Sequence, residues 1–222
     1  MTKSEVQNRI VEIGIVPVVR AASAQQAILA AEAVAAGGIP IVEITMTVPG
    51  AVEVIRELTR SLGSRVLVGA GTVLDADAAV RCLEAGAEFL VSPGFDFEMV
   101  QVALRNQKVV LPGALTPTEV IQAHRAGVDF VKIFPCGSVG GPAYIKALKA
   151  ALPQIPMIPT GGVNLTTAAD FLRAGAAAVG IGSELISRSE LEAGNASTIS
   201  ELARRYVRIV AEVRQPSHVP VA

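Results

Sequence analysis

The sequence predicts an α/β protein: a single (β/α)8 TIM barrel with an extra N-terminal helix. Three observations carry that expectation. Short apolar runs alternate with amphipathic stretches from one end of the chain to the other, at the spacing of strand–helix units. Several amphipathic stretches close on glycine, the residue that supplies a left-handed helix end: Ala36-Gly37-Gly38, Ala85-Gly86, Ala126-Gly127 and Ala174-Gly175. The alternation repeats eight times in 222 residues, and a closed barrel is the compact solution for that number of parallel strands.

The elements follow in order. A helix over 3–13 precedes the first strand and can cap the bottom of a barrel. The strands are expected at 15–20, 41–47, 66–73, 89–93, 109–115, 130–135, 157–160 and 178–182. Their helices are expected near 23–37, 50–61, 76–86, 97–106, 117–127, 142–151, 165–174 and 196–214. Ser, Thr, Asp or Pro precede many of these helices, as N-caps and first-turn residues do. No linker or low-complexity stretch interrupts the repeat, so residues 1–222 read as one domain with a frayed tail at 215–222. An open, doubly wound sheet is the alternative. It would carry a dinucleotide fingerprint, but Gly69-Ala70-Gly71 and Gly180-Ile181-Gly182 lack the third glycine, and there is no Walker lysine.

Composition narrows the function. Formal net charge is −1 and lysines are few, which argues against a nucleic-acid or membrane-surface partner. Cys82 and Cys136 are too few for a disulfide framework, and with His124 and His218 they show no metal-ligand spacing. A reducing cytoplasmic setting without a metal is the expectation. The polar start Met1-Thr2-Lys3-Ser4-Glu5 has no secretory pattern, and no apolar stretch reaches membrane-spanning length.

Barrel enzymes work at the C-terminal ends of their strands. The sixth end holds Phe130-Val131-Lys132-Ile133-Phe134-Pro135, a buried-strand pattern with a lysine inside it. Such a lysine either snorkels to water or is held with a lowered pKa, and a neutral amine attacks carbonyl carbon. Strand alternation separates Glu43, Thr45 and Thr47 from the apolar set Val42, Ile44 and Met46, which should face the helices. Glu43 therefore points inward, as do Phe130, Lys132 and Phe134. A carboxylate and a lysine in one water-poor interior suggest catalysis; a buried ion pair that only fills the barrel is the plainer alternative. Gly161-Gly162 and Gly182-Ser183, on the seventh and eighth ends, suit phosphate, because backbone N–H groups and the Ser183 hydroxyl donate there; tight turns alone would also explain the glycines. His124 reads as a surface histidine, Cys136 as a bystander, Tyr144 as a core or helix-face residue, and Arg204, Arg205 and Arg208 as a solvated face.

Six motifs occur in order: Glu43-Ile44-Thr45-Met46-Thr47, Gly69-Ala70-Gly71-Thr72-Val73, Ser92-Pro93-Gly94, Pro112-Gly113, Val131-Lys132-Ile133-Phe134-Pro135 and Pro159-Thr160-Gly161-Gly162-Val163. Together they resemble the 2-keto-3-deoxy-6-phosphogluconate (KDPG) aldolases, which often also act on 4-hydroxy-2-oxoglutarate. The resemblance runs from about residue 8 to residue 213. It implies a class I aldolase that forms a covalent imine, uses no cofactor or metal, takes a phosphate-bearing 2-keto acid and assembles as a homotrimer. By resemblance Lys132 matches the imine-forming lysine and Glu43 the general acid/base. Thr72 matches a residue near the pyruvate carboxylate, Pro93 and Phe134 match the pyruvate pocket, and Thr160, Gly161, Gly162 and Ser183 match the phosphate side; Gly182 adjoins Ser183. Some members carry a substrate-holding arginine where this chain has Thr47, and Arg20 is the candidate to supply that charge; the departure bears on the contact with the pyruvate carboxylate more than on the reaction. A 2-keto-3-deoxy-6-phosphogalactonate aldolase is one alternative. A phosphate-binding barrel isomerase or synthase without a covalent lysine is another, and a non-catalytic scaffold a third.

Overall fold

The computed structural model describes residues 1–215; the tail expected to fray falls, beyond Gln215, outside the described residues. The chain opens with helix α1 (Lys3–Ile13) and then alternates: β1 (Ile15–Val19), α2 (Ala24–Ala36), β2 (Ile41–Thr45), α3 (Ala51–Leu62), β3 (Leu67–Gly71), α4 (Ala76–Glu84), β4 (Phe89–Val91) and α5 (Phe97–Arg105). The second half runs β5 (Val109–Leu111), β6 (Gly113–Ala114), α6 (Pro117–Arg125), β7 (Val131–Ile133), α7 (Pro142–Ala151), β8 (Met157–Pro159), α8 (Ala168–Arg173), β9 (Val179–Ile181), α9 (Arg188–Glu192) and α10 (Ala196–Arg214). Every strand residue is buried, as parallel strands covered by helices must be.

The strands form two parallel sheets, β5-β4-β3-β2-β1-β9 and β6-β7-β8. Hydrogen bonds join the sheets on both sides. Phe130 N–H donates to the Val110 carbonyl at 3.4 Å, Ala177 N–H donates to Met157 at 2.9 Å, and Thr160 bridges Gly180. The fifth apolar run, expected as one strand over 109–115, is divided at Pro112, which has no N–H for the ladder; its carbonyl still accepts from Lys132 N–H at 3.0 Å.

Local chemistry sets the helix starts. The side chains of Ser23, Asp75, Asp96 and Thr116 each accept from a first-turn N–H, and Thr116 forms a reciprocal capping box with Glu119. The helix expected from 165 begins at Ala168. Asn164 Oδ1 accepts from the N–H groups of Thr166 and Thr167, so a side-chain turn replaces the first helical turn. Helix α9 was not expected. Its signal was present as Ser187-x-x-Glu190, and the Ser187 hydroxyl accepts from Glu190 N–H at 3.2 Å.

Helix α1 is fixed beneath the strands by one carboxylate. Asp129, just before β7, pairs with Lys3 at 3.0 Å, accepts from Gln7, and accepts from Val110 N–H at 3.0 Å, with its side chain only 5% exposed. Arg214 of α10 donates to the Glu12 and Val11 carbonyls at the other end of α1. Asp129→Ala should therefore leave Val110 N–H unpaired and α1 loosened. We expect a loss of about 2 kcal/mol in urea unfolding, read as a lower midpoint at unchanged slope.

Candidate active site

Lys132, in β7, and Glu43, in β2, face each other inside the sheets. Lys132 Nζ lies 3.7 Å from Glu43 Oε1, with the two side chains 5% and 3% exposed. That separation is an ion contact, longer than a hydrogen bond. Glu43 Oε1 is buried without a hydrogen-bond partner, so this carboxylate keeps a free acceptor facing the amine. The Phe134 ring lies 5.4 Å from Nζ, within cation–π range, and its other surroundings are the cavity described below.

Glycine makes room for this pair. A Cβ on Gly71 would fall 2.0 Å from Glu43 Oε1 and 2.6 Å from its Cδ. Gly71 has no positive φ, so backbone conformation does not demand glycine there; the approach of the carboxylate does. The next residue, Thr72, has φ +56°, a left-handed conformation that a β-branched residue rarely adopts. It sits half-buried at the C-terminal end of β3. Gly161 and Gly162 differ from Gly71, with φ +87° and +78°, so their backbone does require glycine. They pack on the turn at Cys136–Val139, where Cys136 N–H donates to Thr160 and Gly137 N–H to Gly161, each at 2.9 Å.

Five of the remaining expected residues line two cavities; Thr72, Thr160, Gly161, Gly162 and Gly182 line neither. One, of about 300 Å³, is lined by Pro93, Gly113 and Phe134. The other, of about 350 Å³, is lined by Arg20, Thr47, Ser183, Gln26 and Arg188, among others. Lys132 and Glu43 line neither wall, and Thr160, Gly161 and Gly162 are not in the second. Thr160 is buried, its hydroxyl 2.2 Å from where a Gly180 Cβ would be. Gly182 is close to Arg20: a Cβ there would lie 3.4 Å from Nη1, so the guanidinium rests against the glycine.

Thr47 is in place, but its proton is committed. Thr45 Oγ1 donates to the Val19 carbonyl at 2.8 Å, and a carbonyl only accepts. The 2.7 Å contact between Thr45 and Thr47 hydroxyls must then be donated by Thr47. Thr47 therefore offers lone pairs, not a proton. Gln26 and Arg188 were missed in the sequence. Gln26 lies on an ordinary helix face, and Arg188 lies on the unexpected α9.

Three further residues can be compared with their expected roles. Cys136 is fully buried, and burial pushes its thiol up to about 11, so it stays protonated at neutral pH. His124 is half-buried rather than on the surface, with a buried Nδ1 that has no partner. Tyr144, as expected, is half-buried, and its hydroxyl donates to the Leu115 carbonyl.

Parallel strands wrapped in helices, with a buried lysine–carboxylate pair and two cavities lined by residues of the strand ends, define an α/β enzyme. Comparison with known proteins gives its kind. The family model for KDPG and KHG aldolases matches residues 6–202, and the chain belongs to that family. It is thus an aldolase, a lyase. It is 33% identical over 204 residues to the 2-dehydro-3-deoxy-phosphogluconate aldolase of Pseudomonas aeruginosa, covering 92% of each chain. It is 34% identical over 175 residues to the 2-dehydro-3-deoxy-6-phosphogalactonate aldolase of Escherichia coli, covering 78% of this chain and 85% of that one. The crystal structure of KDPG aldolase from Legionella pneumophila, with pyruvate captured as a covalent carbinolamine, superposes with a TM-score of 0.83 at 29% identity, covering 89% of this chain and 96% of that one.

The Gly71 geometry makes a test. Gly71→Ala should displace the Glu43 carboxylate while the fold survives, lowering kcat about 10²-fold with little change in circular dichroism. An unchanged kcat would show that Glu43 does not need its present position.

Proposed function

We propose that the chain is a class I aldolase that reversibly cleaves KDPG to pyruvate and glyceraldehyde 3-phosphate, on strands closed into one (β/α)8 barrel. The observation that carries this reading is the buried Lys132–Glu43 pair with its open carboxylate oxygen. Hydrogen bonds across both seams between the two sheets support barrel closure.

Unprotonated Lys132 attacks the C2 ketone of the substrate. Glu43 moves protons during carbinolamine formation and loss of water. The resulting iminium is the electron sink, so the reading needs no metal or cofactor. Glu43 Oε1 then takes the C4 hydroxyl proton, the C3–C4 bond breaks, and its electron pair passes into the enamine of pyruvate. Protonation at C3 and hydrolysis release pyruvate and restore the amine. Pro93, Phe134 and Thr72 hold the pyruvate half. Arg20, Thr160, Gly161, Gly162, Gly182 and Ser183 serve the distal, phosphate half, with Thr47 as an acceptor beside Arg20.

The same machinery accepts 4-hydroxy-2-oxoglutarate, giving pyruvate and glyoxylate. The galactonate epimer is the second reading, favoured by the Escherichia coli relative. Cleavage rates on the three substrates decide among them. The setting we infer is the cytoplasm, where a sugar-acid pathway of the Entner–Doudoroff type would supply the substrate. Among the described residues no helix is long and apolar enough to cross a membrane.

Borohydride trapping with pyruvate tests the chemistry. A reduced adduct should map to Lys132; folded protein without an adduct would overturn the imine mechanism in favour of a barrel enzyme with an electrostatic lysine. Lys132→Arg should abolish turnover, because guanidinium remains protonated. Glu43→Gln should lose about 10²–10⁴-fold in kcat.

We also propose a homotrimer. Exposed Leu74, Val80 and Phe97, on and beside the packed helices α4 and α5, supply apolar surface for it. Light scattering should give three chains for the native protein and one for Phe97→Glu; a native monomer would overturn the assembly.

A further inference from the structure

We propose that Arg188 is a specificity-determining residue, which together with Arg20 reads the doubly charged phosphate at the distal end of the substrate. The proposal rests on the aldolase reading and deepens it.

Arg20 and Arg188 both line the same cavity of about 350 Å³, and no Asp or Glu is among its lining residues. They come from distant parts of the chain. Arg20 follows β1, and Arg188 opens α9. The uncharged wall supports the same ligand. Gln26 Oε1 accepts from Ala22 N–H at 3.1 Å, which leaves the Gln26 amide N–H groups as donors. Ser183 adds an exposed hydroxyl. Thr47 has no proton to give, so the Arg188 side chain is not duplicating a donor already supplied from the second strand.

Arg188 is held but not consumed by its own helix. Its Nε donates to Glu192 Oε1 at 2.7 Å, in an i,i+4 pair whose side chains are 84% and 53% exposed. That bond uses Nε alone. Both Nη groups remain for a phosphate, in the forked geometry that guanidinium offers to oxyanions. An ion pair so exposed contributes little, so an incoming phosphate competes with Glu192 readily.

Charge then gives selectivity. A phosphate monoester carries nearly two negative charges at neutral pH, and a carboxylate carries one. A pair of guanidinium groups matches the first. KDPG presents phosphate at its distal end, whereas 4-hydroxy-2-oxoglutarate presents a carboxylate. Arg188 should favour the phosphorylated substrate through binding, because the cavity is separate from the reacting Lys132–Glu43 pair.

The test uses the full-length protein, calorimetric titration with inorganic phosphate, and steady-state kinetics on both substrates. Arg188→Gln should weaken phosphate binding about tenfold and raise KM for KDPG by a similar factor, with a smaller rise for 4-hydroxy-2-oxoglutarate. Glu192→Gln frees the guanidinium and should tighten phosphate binding about two- to threefold, as loss of an exposed pair allows. Arg188→Gln within twofold of the unmodified protein in phosphate affinity and KM would overturn the proposal. Equal losses on both substrates would overturn the specificity claim. The aldolase reading fails separately: it does so if the unmodified protein gives no trapped pyruvate adduct, and the phosphate titration still reports on the cavity in that case.

Discussion

A lysine and a carboxylate confined together at 5% and 3% exposure govern much of what surrounds them. Charges taken out of water are costly, and a pair 3.7 Å apart without a hydrogen bond recovers only part of that cost. A sequence selected for stability alone would fill this space with apolar side chains. The neighbouring backbone is shaped instead to admit the pair. In the strand register Glu43 lies opposite Gly69 and Lys132 opposite Gly113, so each ion has a glycine beside it. Gly71 yields its Cβ position to the Glu43 carboxylate, Gly69 yields its own to the Phe89 ring, and Gly113 yields its own to the Pro93 carbonyl. Glycines in strands weaken a sheet, and these three are explained by what occupies their side-chain space.

That layering explains why the pair was legible in the sequence. Strand alternation fixed which face Glu43 and Lys132 occupy, because a slip of one residue would have turned Val131 and Ile133 inward and exposed the charges to the helices. Most helices were legible for a related reason: their caps are local, and Ser23, Asp75, Asp96 and Thr116 act within three residues of themselves. The less legible parts depend on contacts far apart in the chain or on turn chemistry that competes with a helix. Periodicity does not show that Asp129 ties α1 to β5, since Gln7 and Asp129 are 122 residues apart. The Asn164 turn shortened α8, and the short α9 lay within a segment whose apolar pattern is too brief to register. Arg188 was missed with it.

The hydroxyl chain from Val19 through Thr45 to Thr47 carries a further lesson about reading sites from residue identity. Thr47 was a reasonable candidate for holding substrate, and it does line the distal cavity. Its hydroxyl proton is fixed by a neighbour whose own proton is fixed by the backbone. Donor and acceptor roles in such a chain follow from its end, a carbonyl that can only accept. The direction is set by β1 and β2 being adjacent, so it is a property of the fold and could not be read from the Thr45-Met46-Thr47 segment itself.

With the proton of Thr47 committed, the positive charge of the distal cavity comes from another strand. Arg20 emerges at the end of β1, and its guanidinium rests against Gly182 at the end of β9. A cavity does not distinguish which strand supplies a charge, only where the charge ends up, because electrostatic attraction depends on distance and screening rather than on connectivity. An arginine at the first strand end can therefore place its charge in the same cavity as one at the second, provided the adjacent wall leaves room for a large planar group. Gly182 has no left-handed backbone, and a Cβ there would meet Arg20 Nη1 at 3.4 Å, an ordinary contact. The two positions are coupled by packing. A side chain at 182 larger than alanine would meet the guanidinium and displace it.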